Sequence, residues 1–129
     1  MAITCEFETK AHYLLSTIHG SPETLDDFFD YIMKIVFESI KEKRNCILVN
    51  ETDASVRFDV LDSVLLSKRF NKNSLQFLGI RVAIIVQNHA LPIYKHFETS
   101  LQNRSFNLMA FDDFEEGRTW LLRACVLDE

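Results

Sequence analysis

Two imidazoles, His19 and His89, and four carboxylates, Glu51, Asp53, Asp112 and Asp113, are the residues of this chain best suited to chemistry. An imidazole titrates near neutrality, and a carboxylate beside it can orient it as a general acid–base or as a metal ligand. Each of these two His residues stands alone in its local sequence, where a backbone hydrogen bond is the simpler use of the ring. His96 sits between Lys95 and Glu98, as on a solvated helix face, and His12 belongs to a hairpin turn. No nucleophile motif and no Gly-rich phosphate loop is present. The expectation is therefore a non-enzyme with no catalytic residue, no metal and no cofactor.

Cys5, Cys46 and Cys125 are odd in number, far apart and without a C-x-x-C spacing. That pattern suggests neither a disulfide framework nor a zinc ribbon and predicts three reduced, mostly buried thiols. It fits a reducing, cytoplasmic setting. The 14 Lys and Arg against 19 Asp and Glu leave a net charge of -5, which disfavours nucleic acid and anionic membranes. The longest apolar run, Val82 to Val86, is too short for a membrane span, and no leader pattern opens the chain. With 47% hydrophobic and 26% charged residues, 129 residues suit one globular domain, 1–129.

The elements that must position these residues follow from hydrophobic spacing. Ile3, Cys5 and Phe7 alternate with polar residues, then a turn near Thr9 to Ala11 leads into a strand over Tyr13 to Ile18. Ser21 is suited to cap a helix with Pro22 in its first turn. Leu25, Phe28, Phe29, Ile32, Met33, Val36 and Ile40 recur at helical spacing to about Lys43, with acids early and bases late. Cys46 to Val49 reads as a strand covered on both faces. Asp59 then caps a helix carrying Val60, Leu61, Val64 and Leu65 inward, which ends before the Asn71-Lys72-Asn73 cluster. Val82 to Val86 is the next strand; Pro92 opens a helix with Ile93, Tyr94, Phe97 and Leu101 inside. Phe106 to Phe111 is the last strand, and Asp112 or Asp113 caps a final helix bearing Phe114, Trp120, Leu121 and Leu122. The order β-β-α-β-α-β-α-β-α predicts an α/β fold: a mostly parallel sheet of four to five strands, an antiparallel edge strand and flanking helices.

This pattern resembles the STAS-like superfamily, which includes the bacterial anti-sigma-factor antagonists of SpoIIAA type and distant lipid-binding relatives. The resemblance covers about residues 13 to 124. It is carried by the strand into Gly20, the long helix, Cys46-Ile47-Leu48-Val49-Asn50, Arg81-Val82-Ala83-Ile84-Ile85-Val86, and the ending Phe111-Asp112-Asp113-Phe114 through Trp120-Leu121. It implies a regulatory protein-interaction module built as a β-α superhelix. In the antagonists a phosphorylated Ser follows a central strand in an Asp-Ser-Ser-Gly context. The corresponding loop here, Asn50-Glu51-Thr52-Asp53-Ala54-Ser55, lacks that motif; it reads as an ordinary polar loop that starts a helix, with Ser55, and no less Thr52, as the candidate for phosphorylation.

In a parallel sheet, ligands gather beyond the carboxyl ends of the strands. Those ends supply His19, Asn50, Asp53, Ser55, Gln87, His89 and Asp112 as interaction or ligand residues, with no Lys or Arg among them. Most of the 11 Phe residues fall on inner faces, but Phe58, Phe70 and Phe77, with Leu75 and Leu78, flank the second helix in a weakly periodic stretch. Such residues can line a small apolar pocket or form a dimer surface. Two expectations follow: a module docking a protein partner or its own copy, and a carrier of a small apolar, lipid-like ligand.

Overall fold

The computed structural model of the chain describes residues 3–20, 24–54, 60–72, 79–102 and 107–125. Five strands, β1 (Thr4–Thr9), β2 (Leu14–His19), β3 (Cys46–Asn50), β4 (Arg81–Ile85) and β5 (Asn107–Phe111), form one sheet in sequence order. β1 is antiparallel to β2, and every later pair is parallel. The helices are α1 (Leu25–Lys41), α2 (Val60–Lys72), α3 (Leu91–Gln102) and α4 (Phe114–Cys125), with a short 3-10 turn, Asn88–Ala90, before α3. The predicted α/β order and the antiparallel edge are therefore present.

Strand alternation divides the core in two. Ile18, Ile47, Val49, Ile84, Leu108 and Ala110 point to the face covered by α1, α2 and α3. Leu48, Ala83 and Ile85 point to the other face, where α4 lays Leu121 against β3, β4 and β5. Three helices cover one face and α4 the other, with Leu15 of β2 packed at the margin of the α4 cluster. At the far end of the sheet, Arg81 stacks on Trp120 at 3.7 Å from the ring centroid and donates from Nη2 to the Trp120 carbonyl at 3.2 Å.

Several expectations need correction. The helix cap is Thr24, whose hydroxyl accepts the Asp27 N–H at 3.1 Å, rather than Ser21; Ser21 and Pro22 lie outside the described residues. The buried stripe of α1 runs through Phe28, Tyr31, Ile32, Ile35, Val36 and Ser39, so Ile40 is turned to solvent together with Phe37. α1 closes with Lys43 in the left-handed region (φ 57), where the Arg44 N–H bonds Ser39 O and the Lys43 N–H bonds Ile40 O. Ile40 lies in the last turn of α1, just before this reversal.

In α2, Leu61, Val64 and Leu65 are exposed rather than inward, Leu61 by 64%. The helix is anchored by its other end, where Phe70 packs on Phe29 of α1 and Phe97 of α3 at ring separations of 5.1 and 5.6 Å. The thiol expectation also fails for two residues. Cys46 at the start of β3 and Cys125 at the end of α4 form a disulfide, with Cα atoms 6.3 Å apart. A separation of 79 residues hides this pairing in the sequence, because only the return of α4 across the sheet brings the two together. Cys5 remains a free thiol whose pKa burial raises. With two of the three cysteines joined, the thiols no longer indicate a reducing compartment.

Candidate functional site

The strand ends converge as the topology requires. The Glu51 N–H continues the ladder by bonding Ile85 O at 2.8 Å, the Val86 N–H bonds Phe111 O at 2.8 Å, and Gly20 bridges Ala54 in parallel register. Gly20 has φ 100, a conformation that L side chains rarely adopt, which suits it to turn the chain out of β2.

The polar side chains gathered there mostly bond one another. Asn50 Oδ1 accepts from the Thr52 N–H at 3.1 Å and from its hydroxyl at 2.8 Å, closing a turn directly after β3. Gln87 Nε2 donates to the Thr52 carbonyl at 2.8 Å, tying the β4 loop to the β3 loop. Asn88 Nδ2 donates to Asp112 Oδ2 at 3.0 Å and brings in the β5 loop. Asp113 caps α4 by accepting the Glu115 N–H at 3.1 Å.

His19 lies at the rim, its Nε2 3.4 Å from Glu6 and its Nδ1 3.7 Å from Asp53. All three side chains are exposed, and the Asp53 distance is too long for a hydrogen bond. His89 stands in the 3-10 turn, about a cleft of about 10 Å³ that it shares with Glu51, Ala54, Val86, Gln87, Ala90 and Tyr94. Among the described residues, no group of three or more His, Cys, Asp or Glu is arranged to hold a metal ion. Ser55 lies outside the described residues.

Beneath this surface is a group that sequence reading placed in the wrong environment. Glu51, counted among the loop carboxylates, is only 2% exposed. It continues the inward alternation of Ile47 and Val49, so its side chain enters the core between α1 and α3. The Tyr31 hydroxyl donates to its Oε2 and the Tyr94 hydroxyl to its Oε1. Burial pushes the Glu51 carboxyl up to about 8, opposed by the Tyr94 hydrogen bond, and raises the Tyr94 phenol as well. The Glu51 carboxyl and the two phenols thus link β3, α1 and α3 under the strand-end loops, and burial favours the neutral form of the acid. The available signal was period: Tyr31 shares a helix face with Phe28 and Ile35, and Tyr94 shares one with Phe97.

The apolar set around α2 is only partly described. Phe70 is buried and lines an apolar cavity of about 30 Å³ with Ile32, Val36, Ile47, Ile84 and Phe97. Phe58, Leu75, Phe77 and Leu78 lie outside the described residues. Among the described residues, no helix is long and apolar enough to cross a membrane.

No protein-family model matches the sequence, and neither does any curated protein. Among solved structures, an anti-sigma factor antagonist from Mycobacterium paratuberculosis is similar at TM-score 0.60 and 8% identity, over 93% of this chain and 94% of that one. An uncharacterised protein of the DUF3478 family with a SpoIIAA-like fold, from Shewanella loihica, aligns at TM-score 0.46 and 20% identity, over 92% and 93% of the two chains. With its five-stranded, mostly parallel sheet and antiparallel edge, the chain has the STAS-like, SpoIIAA-type fold.

Proposed function

We propose that this chain, as one domain over residues 1–129, is a non-catalytic regulatory module that docks a protein partner or its own copy on the strand-end surface. The observation behind this reading is the cross-tying of Asn50, Thr52, Gln87, Asn88 and Asp112 above the buried Glu51. Their hydrogen bonds fix three loops together, and the cleft between them holds about 10 Å³. Small-molecule sites enclose several hundred Å³. A shallow polar surface of fixed shape suits a macromolecular partner better than a substrate. The similar Mycobacterium protein is an anti-sigma factor antagonist, which supports a regulatory reading. In this reading, phosphorylation of Ser55, two residues after Asp53 in the sequence, is the regulatory input, adding a charge of about −2.

Photo-crosslinking in the native host tests the proposal. A crosslinking residue replacing Asp53 or Gln87 is expected to capture a discrete protein, and one replacing Lys43 at the opposite end of the sheet is not. Equal capture at all three positions, or capture at none, would overturn it. Phosphoproteomics that leaves Ser55 unmodified across growth conditions would remove the regulatory input.

The cavity of about 30 Å³ lined only by apolar residues under Phe70 favours the carrier of a small apolar ligand as a second reading. A volume of that size admits no lipid unless α2 moves outward. Native mass spectrometry of protein purified from its own source decides between the two, since a carrier retains a reproducible bound mass.

A further inference from the structure

The two edges of the sheet are treated differently. At β5, α3 packs alongside, and the outward Ala110 N–H is taken by the buried Glu98 carboxylate at 2.9 Å. That edge is closed where Glu98 sits. At β1, among the described residues, no strand or helix pairs with the outer side.

The ladder geometry identifies which groups are left. The Lys10 N–H bonds Tyr13 O at 2.9 Å, which makes Lys10 and Tyr13 a hydrogen-bonded pair. In an antiparallel ladder such pairs alternate, so the partners Glu8↔Leu15, Glu6↔Thr17 and Thr4↔His19 are bonded inward. Cys5, Phe7 and Thr9 then present their N–H and C=O groups outward, a ready template for another strand.

Side chains add a chemical code to this template. Glu6 and Glu8 point to one face, 68% and 63% exposed, while Cys5 and Phe7 point to the other and pack against the core as half-buried groups. A strand added here would set its side chains about 5 Å from these. Glu8 holds the Lys10 ammonium at 2.8 Å and Glu6 lies 3.4 Å from His19, both pairs exposed, so an added strand that offers cations opposite the two glutamates shares or replaces these partners while it sets apolar groups beside Cys5 and Phe7. A second copy of β1 meets this requirement poorly: the registers centred on Cys5 and Phe7 that pair Cys5 with Phe7 or Phe7 with Phe7 set Glu6 opposite Glu6 or Glu8, and a cation comes opposite a glutamate only in registers shifted toward the turn, through Lys10.

We infer that the free edge of β1 binds an extended segment of a partner protein that alternates basic and apolar residues, by strand addition to the sheet. Attraction to Glu6 and Glu8 selects the partner, and the backbone groups of Cys5, Phe7 and Thr9 hold it. The edge borders the strand-end surface at Glu6 and His19, but the Asp53 and Gln87 crosslinks report on one surface and the Cys5, Phe7 and Thr9 amides on the other, so the two proposals fail independently.

The probe is a synthetic hexapeptide of alternating Lys and Val, titrated into the full chain and followed by NMR and amide hydrogen exchange. Saturable binding is expected, with exchange at the Cys5, Phe7 and Thr9 amides slowed at least tenfold. The double variant E6K/E8K, altered only at exposed positions, is expected to lose affinity at least tenfold and to recover it for a peptide with Glu in place of Lys. A peptide with the same charges but with its backbone amides N-methylated is expected not to bind. The inference is overturned if those three amides are unprotected, if the N-methylated peptide binds equally, if charge reversal has no effect, or if the free chain dimerises through β1.

Discussion

The Tyr94 hydroxyl reaches from α3 to Oε1 of Glu51 at the end of β3, joining residues 43 apart in sequence inside the core. With Tyr31 on the other oxygen, the carboxyl becomes the point at which two helices are fastened to the central strand.

Stability is expected to depend on pH through this carboxyl. The folded state holds the Glu51 proton up to about 8, whereas the unfolded chain releases it near the ordinary value of 4.5. The folded state therefore binds more protons between these values, and its advantage, full below the lower value, is lost as pH rises through the upper one. The slope from this group is roughly 1 kcal/mol per pH unit. Urea denaturation from pH 5 to pH 9 measures it, and Glu51→Gln, which stays neutral, is expected to flatten the dependence.

Removing one phenolic hydroxyl leaves an oxygen of Glu51 buried without its hydrogen-bond partner. Tyr94→Phe and Tyr31→Phe are each expected to destabilise the chain by about 1–3 kcal/mol. In a double-mutant cycle with Glu51→Gln the effects should fall short of additivity, because the three residues share one network.

The Cys46–Cys125 bond is expected to contribute about 2–4 kcal/mol, chiefly by restricting the unfolded chain. Thermal melts with and without a reductant, beside Cys125→Ser, measure it. The reduced protein and the variant should melt at similar, lower temperatures.

Glu98→Ala is expected to cost about 1–3 kcal/mol by leaving the buried Ala110 N–H without an acceptor. Hydrogen exchange at Ala110 should accelerate with it. Glu98→Gln, which keeps a carbonyl oxygen, should retain most of the protection.

Gly117 sits on α4 where the helix presses on the sheet, and a Cβ there would collide with Ile85 Cδ1 and crowd the Phe111 ring. Alanine favours helices by about 1 kcal/mol over glycine, but overpacking costs about 1–3 kcal/mol. Gly117→Ala is expected to lower the melting temperature, whereas alanine at exposed Thr119 should leave it nearly unchanged.

Strand and helix order was legible because each element carries its own period, as in Ile47 and Val49 on β3 or Tyr94 and Phe97 on α3. Glu51 was misplaced because the same period was not carried one step past Asn50, where polar residues suggested a loop. The inward reading of Leu61, Val64 and Leu65 failed because α2 is held mainly through Phe70, an anchor that only the aromatic contacts with α1 and α3 define. The described parts of the loops after β3, β4 and β5 lie together at the strand ends, as a parallel sheet implies. Their mutual hydrogen bonds depend on loop geometry, which spacing in the sequence does not encode.

The bond between Cys46 and Cys125 also makes β3, β4 and β5 with α2, α3 and α4 a covalently closed ring. Under tension applied at residues 1 and 129, only β1, β2, α1 and the short stretch beyond the ring can pay out. At roughly 3.5 Å per residue the oxidised chain extends to about 170 Å, against about 450 Å once reduced. Redox state thus sets how far this molecule can be stretched.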